Sequence, residues 1–158
     1  MSNLRYCFVL ILFGCEKTDP WRIEKMNCDK PKGQMTRVVI PTKDPVNGLD
    51  LEFFHTDQET RCFINIHTFE TTPYENDPTL TLVTLTIDDR ELLFLAERRE
   101  GGQRLFLEKK ATLTLLSALR QNKSIHLSLD GYEATIYPSK SSLTLLQKIA
   151  YHEEKSRF

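Results

Sequence analysis

The chain predicts an α+β fold: an antiparallel β-rich domain, built as a meander plus a hairpin, with two helices of which the second is C-terminal. Three observations predict it. Ile125-His126-Leu127-Ser128-Leu129 runs into Asp130-Gly131 and then Tyr132-Glu133-Ala134-Thr135-Ile136, two alternating segments around a two-residue turn signal. Thr79–Ile87 and Arg90–Glu97 flank Asp88-Asp89 in the same way. Lys110–Gln121 and Ser142–Glu153 instead space their apolar residues as helices do.

Taken in chain order, Thr36–Ile40 is a β-branched strand stopped by Pro41. After the Asn47-Gly48 turn signal, Leu49, Leu51 and Phe53 alternate with Asp50 and Glu52, which predicts a half-buried strand. In Arg61–Thr68, Cys62, Ile64 and Ile66 share one face, toward the core, while Phe63, Asn65 and His67 share the other. A polar loop follows from Glu70 to Pro78. Its Pro73, Tyr74 and Asn76 are the expected partner-binding residues, because loops carry function more often than the elements they join.

A two-residue turn at Asp88-Asp89 would pair Leu85 with Leu92 and Val83 with Phe94 on one face. Leu82 and Leu95 would then meet on the other, so this pair of strands is expected to be covered on both sides. Gly101-Gly102 turns the chain into Gln103–Leu107, the third strand of the meander. In the later hairpin, Leu129 should face Tyr132, Leu127 Ala134 and Ile125 Ile136; a one-residue slip would destroy this match. The first helix carries Ala111, Leu115, Leu116 and Leu119, with Asn122 able to end it; the second carries Leu145, Leu146, Ile149 and Ala150.

A length of 158 residues suits a single domain. Lys and Arg total 21 against 22 acids, and they are interleaved, as in Glu97-Arg98-Arg99-Glu100, so no basic stripe points to nucleic acid. The mean hydropathy of -0.38 excludes a polytopic membrane protein.

The opening residues carry a different signal. Arg5 is the only charge before an apolar run, Tyr6 to Phe13, that ends at Gly14-Cys15 and gives way to Glu16-Lys17-Thr18-Asp19-Pro20. The run is too short to cross a hydrocarbon core, which takes roughly 20 helical residues, but it suits a secretory h-region. Leu12-Phe13-Gly14-Cys15 resembles the lipobox of bacterial lipoproteins, with Phe13 where that pattern carries a smaller residue. The resemblance implies a signal peptide over 1–14, lipid on Cys15 and a partner in the membrane itself. Glu16 after that cysteine implies the periplasmic face of the outer membrane. Two or three acyl chains, at about 0.8 kcal/mol per buried methylene, would make the attachment permanent.

Residues 15–34 hold Pro20, Pro31, Gly33 and many charges without a sustained period, and they read as a tether. Trp21 within it could sit at the headgroup level or pack on the domain. The globular domain is expected over 35–152, with a polar tail at 153–158. Export would remove Cys7 and occupy Cys15, leaving Cys28 and Cys62 as the one available bridge in an oxidising compartment; two unpaired buried thiols are the alternative. The bridge would stabilise the fold by about 3 to 4 kcal/mol in the chain-entropy model.

No catalytic set stands out. His55, His67, His126 and His152 fall in different segments without a partner at ligand spacing, so no metal and no cofactor are expected. Asp88-Asp89 reads as a turn, and the serines show no nucleophile elbow. The sequence therefore points to a lipid-anchored envelope protein that binds or helps assemble another envelope component and is not an enzyme. Two alternatives stand beside it. One is a periplasmic enzyme whose site gathers scattered residues such as His67 and Asp88. The other is a pilot or chaperone of a secretion machine, which should expose an apolar groove.

Overall fold

Alternating inward side chains are what build this fold. The computed structural model describes residues 21–27, 34–41, 44, 46, 48–56, 58–68, 70–99 and 101–139. Within them lie nine strands: β1 (Arg22–Asn27), β2 (Gln34–Ile40), β3 (Leu49–His55), β4 (Thr60–Ile66), β5 (Leu80–Ile87), β6 (Arg90–Arg98), β7 (Arg104–Leu107), β8 (Ile125–Leu129) and β9 (Tyr132–Ile136). One helix, α1 (Lys109–Arg120), joins β7 to β8. All strands share one sheet, in the order β1-β2-β3-β4-β7-β6-β5-β8-β9, and every pairing is antiparallel. The sheet curls into a half-barrel, bringing β3 and β9 into contact across its hollow.

The inner face is largely apolar. Leu51, Phe53, Ile64, Val83, Leu85, Leu105 and Leu127 are fully buried there, and α1 lays Ala111, Leu115, Leu116 and Leu119 into the hollow against them. The helix begins at Glu108, which makes no side-chain cap, and it ends where Asn122 turns left-handed at φ 60°. The amide of Asn122 donates to the carbonyl of Leu119 at 3.0 Å, and that of Lys123 to Ala118 at 3.0 Å, so the last carbonyls are satisfied.

The meander and the hairpin take their expected registers. Leu85 pairs with Leu92, Val83 with Phe94, and Leu82 with Leu95, and β7 follows β6. Leu129 faces Tyr132, Leu127 faces Ala134 and Ile125 faces Ile136. Both two-residue turns carry left-handed backbone at each position: 50° and 59° at Asp88 and Asp89, 47° and 81° at Asp130 and Gly131. That twist matches the strands it joins, and aspartate tolerates the conformation.

Three expectations need correction or limitation. Leu82 and Leu95 meet on the outer face but remain 38% and 40% exposed, because the described helix lies only on the inner side. Arg22–Asn27, read as part of the tether, forms edge strand β1; its exposed Arg22, Glu24 and Lys25 leave no apolar period to detect. The described residues hold one helix, not two, and the second, expected over Ser142–Glu153, lies outside them.

Because neighbours run antiparallel, the sheet has two distinct ends. One, here the upper, carries Trp21, the 67–79 connection and the Asp130-Gly131 turn; the lower carries the Asp88-Asp89 turn and both connections of α1. Trp21 packs into the core and is 7% exposed.

Leu85 is enclosed between Leu92 and Leu127 on the neighbouring strands. Leu85→Ala is expected to lower the unfolding free energy by about 2 to 5 kcal/mol in urea titration. Gly131→Ala meets no atom within 4 Å and should cost about 1 to 2 kcal/mol, from backbone strain at φ +81° alone.

Candidate functional site

With the hollow filled, surface chemistry lies on the outer face, on the upper loops and at the lower end. The outer face is organised around Glu52. Alternation turns this carboxylate outward between Leu51 and Phe53, yet its side chain is fully buried. It accepts hydrogen bonds from Nε of Arg37 on β2, from Nδ2 of Asn65 on β4 at 3.1 Å, and from a guanidinium nitrogen of Arg104 on β7 at 2.9 Å. Desolvating a carboxylate is costly unless its lone pairs are met, and here three strands supply donors. Phe54, Phe63 and Phe106 cover the group, with Phe63 standing edge-on to Phe54 at 5.7 Å and tilted against Phe106 at 5.4 Å. The Arg104 guanidinium lies 4.4 Å from the Phe63 ring centre and 5.6 Å from that of Phe54. Arg37 also reaches Glu24 at 2.8 Å, and this bond and that to Glu52 raise its already high pKa.

Every charge of this cluster is matched, so it is a brace across β1 to β4 and β7 and offers no reactive group. Beside it, Leu82, Leu93 and Leu95 on β5 and β6 are 38%, 60% and 40% exposed.

At the upper end, Pro73, Tyr74 and Asn76 fall in one tight turn. The amide of Tyr74 donates to Leu80 at 2.8 Å, and that of Asp77 to Tyr74 at 3.0 Å. Pro73 and Asn76 are exposed and Tyr74 is half-buried, its phenol pKa raised by a hydrogen bond to Glu75. The turn is fixed from both sides. The amide and hydroxyl of Thr72 donate to the Asp130 carboxylate at 2.7 and 3.0 Å. Arg98 donates to the Thr71 hydroxyl at 3.2 Å and to the carbonyl of Pro78 at 2.8 Å. Gly102, at φ +64°, lets this guanidinium close in; an added Cβ would stand 2.8 Å from it.

The other expected site residues are scattered. Cys62 lies on the inner face of β4, a free and fully buried thiol; burial, and secondarily the Glu52 charge, push its pKa well up. Cys15 and Cys28 lie outside the described residues. His67 pairs with Asp50 at 3.1 Å near the upper end, whereas Asp88 pairs with Lys123 at 2.5 Å at the lower, so the fold does not bring His67 and Asp88 together. Among the described residues no group of His, Cys, Asp and Glu could hold a metal ion, and no helix is long and apolar enough to cross a membrane.

A groove of about 510 Å³ at the lower end was not foreseen. It runs between α1 and the β5–β6 turn, lined by apolar Ile87, Leu92, Leu113 and Ala118, by the cations Arg90, Lys110 and Lys123 and by one acid, Asp88. Its sequence signal was there: Leu113 lies off the buried stripe of α1, and the first turn of the helix holds two lysines and no acid.

No protein-family model, curated protein or solved structure matches this chain. Function has to be read from the surfaces above.

Two outcomes test this account. Arg104→Ala removes a charged donor from Glu52 and a cation from two rings, and should cost about 2 to 3 kcal/mol in urea unfolding. Arg61→Ala, an exposed cation paired among the described residues only with Glu59, should cost within about 0.5 kcal/mol. The second concerns pH. Hydrogen bonds from the Thr79 hydroxyl at 2.6 Å and amide at 2.8 Å hold Asp77 below the ordinary value of 3.8. The unfolded turn therefore binds a proton first. The turn's extra stability is complete above 3.8 and is lost as pH falls through the lower folded value. Amide protection factors at Thr79 and Leu80, taken relative to intrinsic exchange at each pH, should fall in that acidic window, and Asp77→Asn should abolish that change in protection.

Proposed function

We propose that this chain is a lipid-anchored protein of the cell envelope with a non-enzymatic binding or assembly role. The observation that carries the reading is a juxtaposition: an apolar run closed by Gly14-Cys15 stands six residues before Trp21, where the described domain begins. Six residues span at most about 20 Å when fully extended, so lipid on Cys15 would hold the domain close to its membrane. Glu16 after the cysteine favours the periplasmic face of the outer membrane. The tight turn of Pro73, Tyr74 and Asn76 supplies a firm contact surface for an envelope partner. In an oxidising compartment the same reading carries a Cys28–Cys62 bridge, and it expects no cofactor and no nucleic acid.

A second reading, a pilot or chaperone lipoprotein, is favoured by one specific observation, the apolar-floored groove beside α1. Such a protein holds an apolar segment of its client until assembly.

Mass spectrometry of the protein from membranes should find a mature chain that starts at Cys15 and carries diacylglycerol. Cys15→Ser should move it to the soluble periplasmic fraction. Lipid absent from Cys15, or a variant that stays in the membrane, overturns the anchoring. The intact mass before and after reduction decides the bridge.

A further inference from the structure

The groove at the lower end combines an apolar floor with unneutralised positive charge. Leu92 is 36% exposed although it points toward the hollow, and half-buried Leu113 faces it from α1. Of the rim cations only Lys123 has a carboxylate, that of Asp88 at 2.5 Å. Arg90 and Lys110 have no ion-pair partner among the described residues. The first turn of α1 adds to the field. Its N-terminal end is the positive end of the helix dipole, Glu108 makes no side-chain cap, and Lys109 and Lys110 stand where acids are usual.

We propose that this groove docks an acidic amphipathic peptide segment of a partner protein. Apolar side chains on one face of that segment fill the floor over Leu92 and Leu113, and its carboxylates pair with Arg90 and Lys110. The groove is open, and along α1 it is lined from Lys110 through Leu113, Ser117 and Gln121, three turns of helix against which a peptide can lie. Topology argues for a protein and against the anchoring membrane. The chain enters β1 at the upper end, while the groove opens at the lower, separated by the eight residues of β5, about 26 Å of strand. On the anchored reading above, on which this orientation rests, the groove faces away from the lipid. The charge complementarity does not depend on it.

The test uses the full mature chain and its soluble Cys15→Ser variant. The probe is a fluorescent amphipathic peptide of leucine and glutamate, with a control that replaces each glutamate by lysine. The acidic peptide should bind both proteins at least tenfold tighter than the control, and more weakly as salt rises. Leu113→Asp should weaken it at least tenfold. Arg90→Glu combined with Lys110→Glu, at exposed positions that spare the core, should reverse the preference toward the lysine peptide. Equal binding of the two peptides, no binding, or a preference unmoved by charge reversal overturns the proposal. So does a photo-crosslinker at Ser117 that reacts with this chain's own residues 140–158, or that needs phosphatidylglycerol vesicles to give any product. Charge-selective binding by a Cys15→Ser protein that still sediments with membranes would sustain the groove and refute the anchor.

Discussion

Among the described residues a single helix fills the hollow of a nine-stranded sheet, and most of the described structure follows from that constraint. Twelve residues of α-helix are about 18 Å long, enough to cross from the end of β7 over β6 and β5 to the start of β8, strands spaced about 4.8 Å apart. A flat sheet would leave its flanking strands bare. Curling brings β3 toward β9, so the two flanks cover what the helix cannot. Most inward positions are then apolar and enclosed, and a one-residue slip in β3 or β7 would drive Glu52 or Arg104 into the core. Register is therefore specified by burial on one face. The same shortness of α1 leaves the corner over the Asp88-Asp89 turn uncovered by any described residue, and the groove lies there.

The outer face solves a different problem on each half. On the β1–β4 and β7 side, one buried carboxylate collects donors from neighbouring strands, and three phenylalanines exclude water from it. Removing any donor would leave part of a buried charge unmet, so this arrangement resists local opening of the strands that supply it. On the β5–β6 side no such group exists, and Leu82, Leu93 and Leu95 meet solvent. That half is held by its inner face and by the eight cross-strand pairs of the β5–β6 hairpin.

What was legible in the sequence was whatever depended on neighbours along the chain. The two hairpin registers were readable because an Asp-Asp or Asp-Gly turn sets the pairing and alternation then sets the face. The helix Lys110–Gln121 was readable from its stripe, within one residue at each end. The strand order was not, because nothing local says that β7 returns beside β4 or that β5 pairs with β8. Edge strand β1 was invisible for a related reason: an edge with one solvated face and charged residues has no period. Glu52 was read as an outward polar residue, which it is in direction, but its burial depends on Phe63 and Phe106 from strands distant in sequence. Leu113 gave the opposite lesson. Its departure from the helical stripe was visible, yet only the β5–β6 turn beside it makes that departure part of a groove.

The two ends of the sheet differ in stiffness as well as in chemistry. At the upper end, the 70–80 connection is tied through Thr72 to the Asp130-Gly131 turn and through Thr71 and Pro78 to Arg98 at the end of β6. At the lower end, the rim of the groove is joined across its mouth by one ion pair, Lys123 with Asp88, between groups half exposed to water. Such a pair contributes little and rearranges cheaply. An antiparallel sheet with its first strand entering from above and its helix returning from below cannot bring these ends together. The described chain therefore enters its first strand at the end braced by these hydrogen bonds. The opposite end presents an apolar floor beside Arg90 and Lys110, cations without an ion-pair partner among the described residues.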